Sequence, residues 1–301
     1  MAEKPAVRPD VAVGEALGAV ARDTLSEARA ELDDTGRADA VSVHDLRKAM
    51  KRWRALLRIL ESFLGDDARR LRAEARDLAR ELSGARDAQS AIEALNDLAE
   101  GEGSLSPRTL ASIRGRLDAI RLSAEAATLN DDVRTRLRTA CDAAEAAVAA
   151  WDLEKLSFTD LARELSRTYE RLRENSPKDW AKAEPDTLHD LRSIVVAHRY
   201  QMELVEPLWP KFGRLWVAEA QRLRDRLGAF QDLSVLKGFT VPHGALAPWR
   251  SRLTPAHSGA PGETCEGRAA HGKPPARRTA QGLSPPARGI VGAGIGPPTP
   301  V

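Results

Sequence analysis

The chain has 301 residues, 30% of them charged and 42% hydrophobic, with 46 Lys and Arg against 44 Asp and Glu for a net charge of +2. That balance excludes a globally basic partner for nucleic acid or a membrane surface, so any polyanion site must arise from local segregation of charge. No run nears the roughly eighteen apolar residues of a membrane span, the acid-bearing N-terminus is not a signal peptide, and Cys141 and Cys265 lie in settings too different for a disulfide framework, so a cytoplasmic location is expected.

In chain order, helical periodicity with almost no strand signal predicts helices over 10–33, 43–64, 66–83, 86–100, 107–129, 131–150, 157–174, 187–206 and 211–229. Between them lie "TGRAD", "GEGSLSP", "NDD", "NSPKDWAKAEPD" and "PLWP", which break and restart helices. The fold class is therefore all-α. At Gly238 the composition changes abruptly. Residues 239–301 hold ten Gly and eleven Pro, with seven Lys and Arg against Glu263 and Glu266 alone. Such a segment has no face to bury and is expected to be a disordered tail, whose basic character would assist polyanion binding at most.

The second helix carries the main signal. At 100° per residue, His44, Arg47, Lys48, Lys51, Arg54 and Arg58 fall within an arc of roughly 120°, with Arg52 at its edge. Leu46, Met50, Trp53, Leu56, Leu57, Leu60 and Phe63 fill the opposite, core-facing arc. A row of Arg forks and Lys point charges on a rigid helix suits a linear polyanion. A merely solvated face is the alternative.

"SVHDLRKAMKRWRA" (42–55) has a counterpart in "TLHDLRSIVVAHRY" (187–200). Arg54 matches Arg199 at one offset from the histidine, and Asp87 and Asp232 each follow their histidine by 43 residues. One period of 145 residues thus aligns histidine, arginine, aspartate and an expected capping residue, Ser42 or Thr187. Four features in register over that distance indicate an internal duplication of helical halves.

These motifs resemble the CHAD (conserved histidine α-helical domain) family. The matching residues are His44, Arg47, Lys51, Arg52, Arg54 and Asp87 in the first half, and His189, Arg192, Arg199, Tyr200, Gly228 and Asp232 in the second. The resemblance covers about residues 10–238. It implies two pseudo-symmetric helical bundles, halves at about 10–150 and 151–238, whose basic helices line a shared groove. It further implies binding of long-chain inorganic polyphosphate without catalysis or cofactor, and association with polyphosphate granules. The implied binding residues are His44, Arg47, Lys48, Lys51, Arg52, Arg54, Arg58, His189, Arg192 and Arg199. The second half departs from the pattern: Val196 and Ala197 replace basic residues, Glu203 stands at the place of Arg58, and the counterpart of 95–150 gives way to the tail, so a truncated second bundle is expected.

Two other function classes remain. A metal-dependent phosphohydrolase would use the His-Asp dipeptides, yet no HExxH or clustered carboxylate set accompanies them. A helical module for nucleic acid or an acidic protein would use the basic face alone. His44 and His189 fit phosphate donation and helix-to-helix bonding equally well. Asp87 and Asp232 fit helix capping, or orientation of an arginine from behind. Trp53, on the apolar arc, is expected in the core rather than stacked on a base.

Overall fold

The computed structural model describes residues 5–34, 36, 38–100 and 105–253. All nine predicted helices are present: α1 (Val13–Asp33), α2 (Asp39–Leu64), α3 (Asp66–Glu81), α4 (Gly84–Glu100), α5 (Pro107–Thr128), α6 (Asp131–Ala149), α7 (Phe158–Glu174), α8 (Pro185–Val205) and α9 (Pro210–Gly238). A four-residue α10 (Arg250–Leu253) follows, and the described residues contain no strand.

Local chemistry explains several boundaries. Ser106 accepts from the Thr109 amide with Pro107 in the first turn, Asn130 accepts from Val133, and Ser157 forms a reciprocal capping box with Asp160. Gly65, at φ 56°, makes the sharp turn between α2 and α3. Two predicted caps are corrected. Helix α2 starts at Asp39, after Ala38, and α8 starts at Pro185, after Glu184, so Ser42 and Thr187 lie within their helices and cap nothing. Favourable residues upstream extend both helices by about a turn. Likewise α9 runs unbroken to Gly238, which places Asp232 well inside a helix.

The first-half core sets α1, α2, α3 and α6 around Leu17, Leu25, Leu56, Leu57, Leu60 and Leu71. Trp53 is buried there, stacked on Trp151 with centroids 5.8 Å apart, as the apolar arc predicts. Phe63, expected on the same arc, is instead exposed at 39%, because it lies in the last turn of α2, which ends at Leu64. A Cβ on Gly14 would stand 1.9 Å from the Leu153 carbonyl oxygen, so only glycine lets α1 approach the segment following α6. In the second half α7 and α9 pack on α8.

The halves meet through repeat counterparts. Helix α2 packs on α8, joined by the Gln201 amide donating to the Ala55 carbonyl at 3.1 Å. Helix α4 packs on α9, whose C-terminal end is α4's counterpart at the 145-residue period.

The expected boundary at residue 239 is also corrected. Residues 239–253 fold back on α4 and α5, burying Leu246 and Leu253 against Leu95, Ile113 and Leu117, with Phe239 and Trp249 alongside. These four apolar side chains anchor the short segment despite its Gly and Pro, by burying against the apolar face that α4 and α5 share with the end of α9. The remainder of the tail, 254–301, lies outside the described residues. Leu246→Ala is therefore expected to lower unfolding free energy by about 2–5 kcal/mol, measured by urea denaturation. A loss below about 0.5 kcal/mol would mean that this segment is not part of the folded core.

Candidate polyanion groove

Between α2 and α8, with α3, α4 and α9 at its sides, lies an open groove of about 520 Å³. Among the described residues, ten lysines and arginines line it together with His44, against Asp39 as the one carboxylate residue of its lining. Asp39 is itself engaged by Arg134 at 2.7 Å.

Helix α2 supplies the floor. Arg47, Lys48, Lys51, Arg54 and Arg58 all face the groove, as the helical arc predicts, while Leu46, Leu56, Leu57 and Leu60 are at most 1% exposed on the other side. Arg47 is half-buried and donates from one terminal nitrogen to the carbonyls of Ala79 and Leu82, at 2.9 and 3.0 Å. Those oxygens are available because α3 ends there. At the repeat counterpart α9 continues through Gly228, so its carbonyls are spent on the helix ladder. Arg192 lies over that glycine, its guanidinium about 3.7 Å from where a Cβ would stand, and its Nε is buried without a hydrogen-bond partner.

Like charge crowds these side chains. Burial, then Arg47, Arg192, Arg224 and Arg86, pull Lys51 down to about 8. Burial, then Arg171, Arg72 and Arg54, pull Arg58 down to about 10. Arg47, Arg54 and Arg192 are lowered too, each chiefly by burial. Arg54 Nε and Arg58 Nη1 join Arg192 Nε as buried donors without partners. Buried donors are almost always paired, so each of these keeps hydrogen-bonding capacity that no protein acceptor uses.

Not every predicted residue lines this groove. Arg52 instead makes an ion pair with Glu27 at 2.7 Å, 6.0 Å from the centre of the Tyr200 ring. Its position at the edge of the arc turns it towards α1. His189 is exposed, outside the lining, with Nδ1 2.6 Å from the Gln231 side-chain oxygen. With the amide oxygen facing the ring, Nδ1–H donates, which is the helix-to-helix role. His44 remains at the rim, exposed. Arg199 lines the groove, but it pairs with Glu203 and covers the Tyr200 ring at 4.2 Å. Ser193, Val196 and Ala197 form an uncharged stretch on the α8 wall, as their sequence implies.

Sequence reasoning missed Arg72, Arg86 and Arg224. Arg72, held by Glu61 at 2.7 Å, sits in a helix where most arginines have a local acid. Arg86 carried a signal, since it immediately precedes the repeated Asp87. Both aspartates act on a groove arginine: Asp87 favours the charged form of Arg47, and Asp232 that of Arg192. For Asp232 this replaces the capping role, because no helix starts near it.

Among the described residues no three His, Cys, Asp or Glu side chains gather as a metal-ligand set. No described helix is long and apolar enough to cross a membrane.

A family model for the CHAD domain matches residues 19–240. The chain superposes on the crystal structure of the CHAD domain from the plant Ricinus communis with a TM-score of 0.59, at 18% identity, covering 90% of this chain and 91% of that one. A comparison with curated proteins gives no match.

The charge on Lys51 opposes folding when the groove is empty. Lys51→Met is expected to raise stability by about 1 kcal/mol at pH 7, as replacing a buried ion by an apolar group does. The gain should be full below about pH 8 and shrink as the pH rises from there towards 10.5, where wild-type Lys51 sheds its proton in the folded state first. Urea midpoints at pH 7 and 9.5 measure it; an equal difference at both would contradict the crowding.

Proposed function

Because the chain belongs to the CHAD family, we propose that its groove binds long-chain inorganic polyphosphate and does not turn it over. CHAD domains are associated with polyphosphate-related proteins. The observation that carries the reading in this chain is the convergence of ten Lys and Arg on one groove against one carboxylate already paired elsewhere.

A condensed phosphate chain carries negative charge on every repeat and no groups for specific apolar contact. Recognition therefore needs dense cationic donors and an open-ended groove. Planar Arg forks take two phosphate oxygens each, and Lys51 and Lys48 contribute compact charge. The buried, partnerless guanidinium nitrogens acquire acceptors on binding, and the charge repulsion they suffer when empty is relieved. Lys51 should then regain a full proton, so binding takes up protons and weakens as the pH rises above about 8. Two-metal hydrolysis would require a cluster of ligating side chains, and the binding-only reading is supported by there being no group of three His, Cys, Asp or Glu among the described residues. Residence on polyphosphate granules follows from this reading as its cellular consequence.

Each neutralised phosphate releases condensed counterions, with a salt slope of about 0.7 per contact for a flexible single strand. Replacing Lys51, Arg54 and Arg58 together by Ala should flatten the slope of log affinity against log salt by roughly two units. Arg192→Ala with Arg199→Ala should flatten it less, because Arg199 is already engaged by Glu203 and the α8 wall is largely uncharged. Fluorescence titration across salt concentrations, with duplex DNA and heparin as competitors, is the measurement. Equal losses from both helices would remove the asymmetry, and DNA outcompeting polyphosphate at fixed salt would replace the ligand. Orthophosphate released with Mg²⁺ and abolished by His44→Ala would overturn the binding-only assignment.

A further inference from the structure

The duplication supplies an internal comparison for the outer face of α9. At the 145-residue period, Phe212 and Leu215 correspond to Asp67 and Arg70 of α3. Asp67 and Arg70 are exposed and pair with each other at 3.7 Å, as residues of a solvated helix face do. Their counterparts are open to solvent too, Phe212 at 54% and Leu215 at 57%, yet both are large and apolar. Core packing therefore does not account for them. The apolar surface continues sideways. Phe212 lies against Trp216 with ring centroids 5.4 Å apart, and Trp216 against Tyr169 of α7 at 5.5 Å. Exposed contiguous apolar patches mark interaction sites.

Helical geometry indicates what fits this face. At 100° per residue, Lys211, Phe212, Leu215, Ala218 and Glu219 fall within an arc of about 120° centred on Leu215. All five are exposed. Their chemistry is complementary about that centre. The bulky Phe212 stands three residues before Leu215 and the small Ala218 three after it; Lys211 stands four before and Glu219 four after. Laid antiparallel on a second copy, about a two-fold axis through Leu215, the face brings the two Leu215 side chains together. Each Phe212 ring then covers the other copy's Ala218, and each Lys211 faces the other copy's Glu219. Glu219 is held by Arg222 from the next turn of its own helix, which keeps the carboxylate at the surface.

We propose that the chain forms a two-fold homodimer through this face of α9. Gln221 and Arg224 line the cationic groove from the opposite side of the same helix, so both grooves stay open in the dimer. Two helix faces of this size bury on the order of 1,000 Å² in total, at the low end for specific association, so a dissociation constant in the micromolar range is expected.

Sedimentation of the full chain over a concentration series tests this, with wild type expected to pass from monomer to dimer. Phe212→Asp with Leu215→Arg gives α9 the charged pair of α3 and should weaken association at least about a hundredfold. Lys211→Glu sets like charges opposite each other and should weaken it about tenfold; adding Glu219→Lys should recover most of that loss. All four positions are exposed, and circular dichroism checks that each variant is folded. A wild type still monomeric at about 100 μM, whether this face stays open or another segment of the chain covers it, would overturn the dimer. Undiminished association of the Phe212→Asp, Leu215→Arg variant would place the interface elsewhere and overturn this face. Failure of the charge exchange to recover association would overturn the antiparallel register about Leu215.

Discussion

Cationic side chains can be held against one another only if something else fixes them in place. In this chain that is the buried stripe of α2. Leu46, Leu56, Leu57, Ile59 and Leu60 are at most 1% exposed, and Trp53 stacks on Trp151 behind them. Burial of such side chains is worth about 1.5–3 kcal/mol each, enough to outweigh the desolvation and repulsion that fall on Lys51 and Arg58. The basic face cannot relax away without tearing the apolar face out of the core. The groove is therefore preorganised: its like-charge repulsion is built into the fold and cannot be relieved by a shift of α2.

Charge elsewhere on the molecule is paired, as it is for Arg72, Arg86, Arg199 and Arg224 at the sides of the groove but not for the row on α2. Arg69, Arg163 and Arg222 each find an acid three residues away on their own helix, and α6 is tied to its neighbours by Arg134–Asp39, Arg136–Glu81 and Arg138–Asp33. These pairs are solvent-exposed in varying degree and individually weak. Their effect is distributional. They use up carboxylates on the outer faces, so a chain of net charge +2 concentrates its unbalanced cations at one place.

The two halves show how a duplicated element acquires different roles. Arg47 and Arg192 are repeat counterparts, each with an aspartate behind it. Arg47 caps the broken end of α3, whereas Arg192 lies on an unbroken α9 whose carbonyls are already bonded. A single helix break thus decides which arginine is structural at one end and which retains an unpaired donor. Ser193, Val196 and Ala197 leave part of the α8 wall uncharged, and α2 alone supplies five of the ten lining cations.

Most of the fold was legible in the amino-acid order. Helical periodicity and Gly, Pro and Asn punctuation mark all nine long helices, because those signals are local. The 145-residue repeat and the basic arc of α2 are likewise properties of residue spacing, and five of the six cations that they single out on that helix do line the groove. Tertiary structure decided the remainder. Arg52 left the set because Glu27 lies beside it, His189 because Gln231 does, and Arg72, Arg86 and Arg224 entered it from helices that sequence distance keeps apart. The same holds for residues 239–253, whose composition reads as unstructured but whose Leu246 and Leu253 find an uncovered face on α4 and α5. A sequence displays which face of a helix is apolar or charged. Which neighbour that face meets, and whether an opposite charge awaits it there, depends on long-range packing that no local pattern encodes.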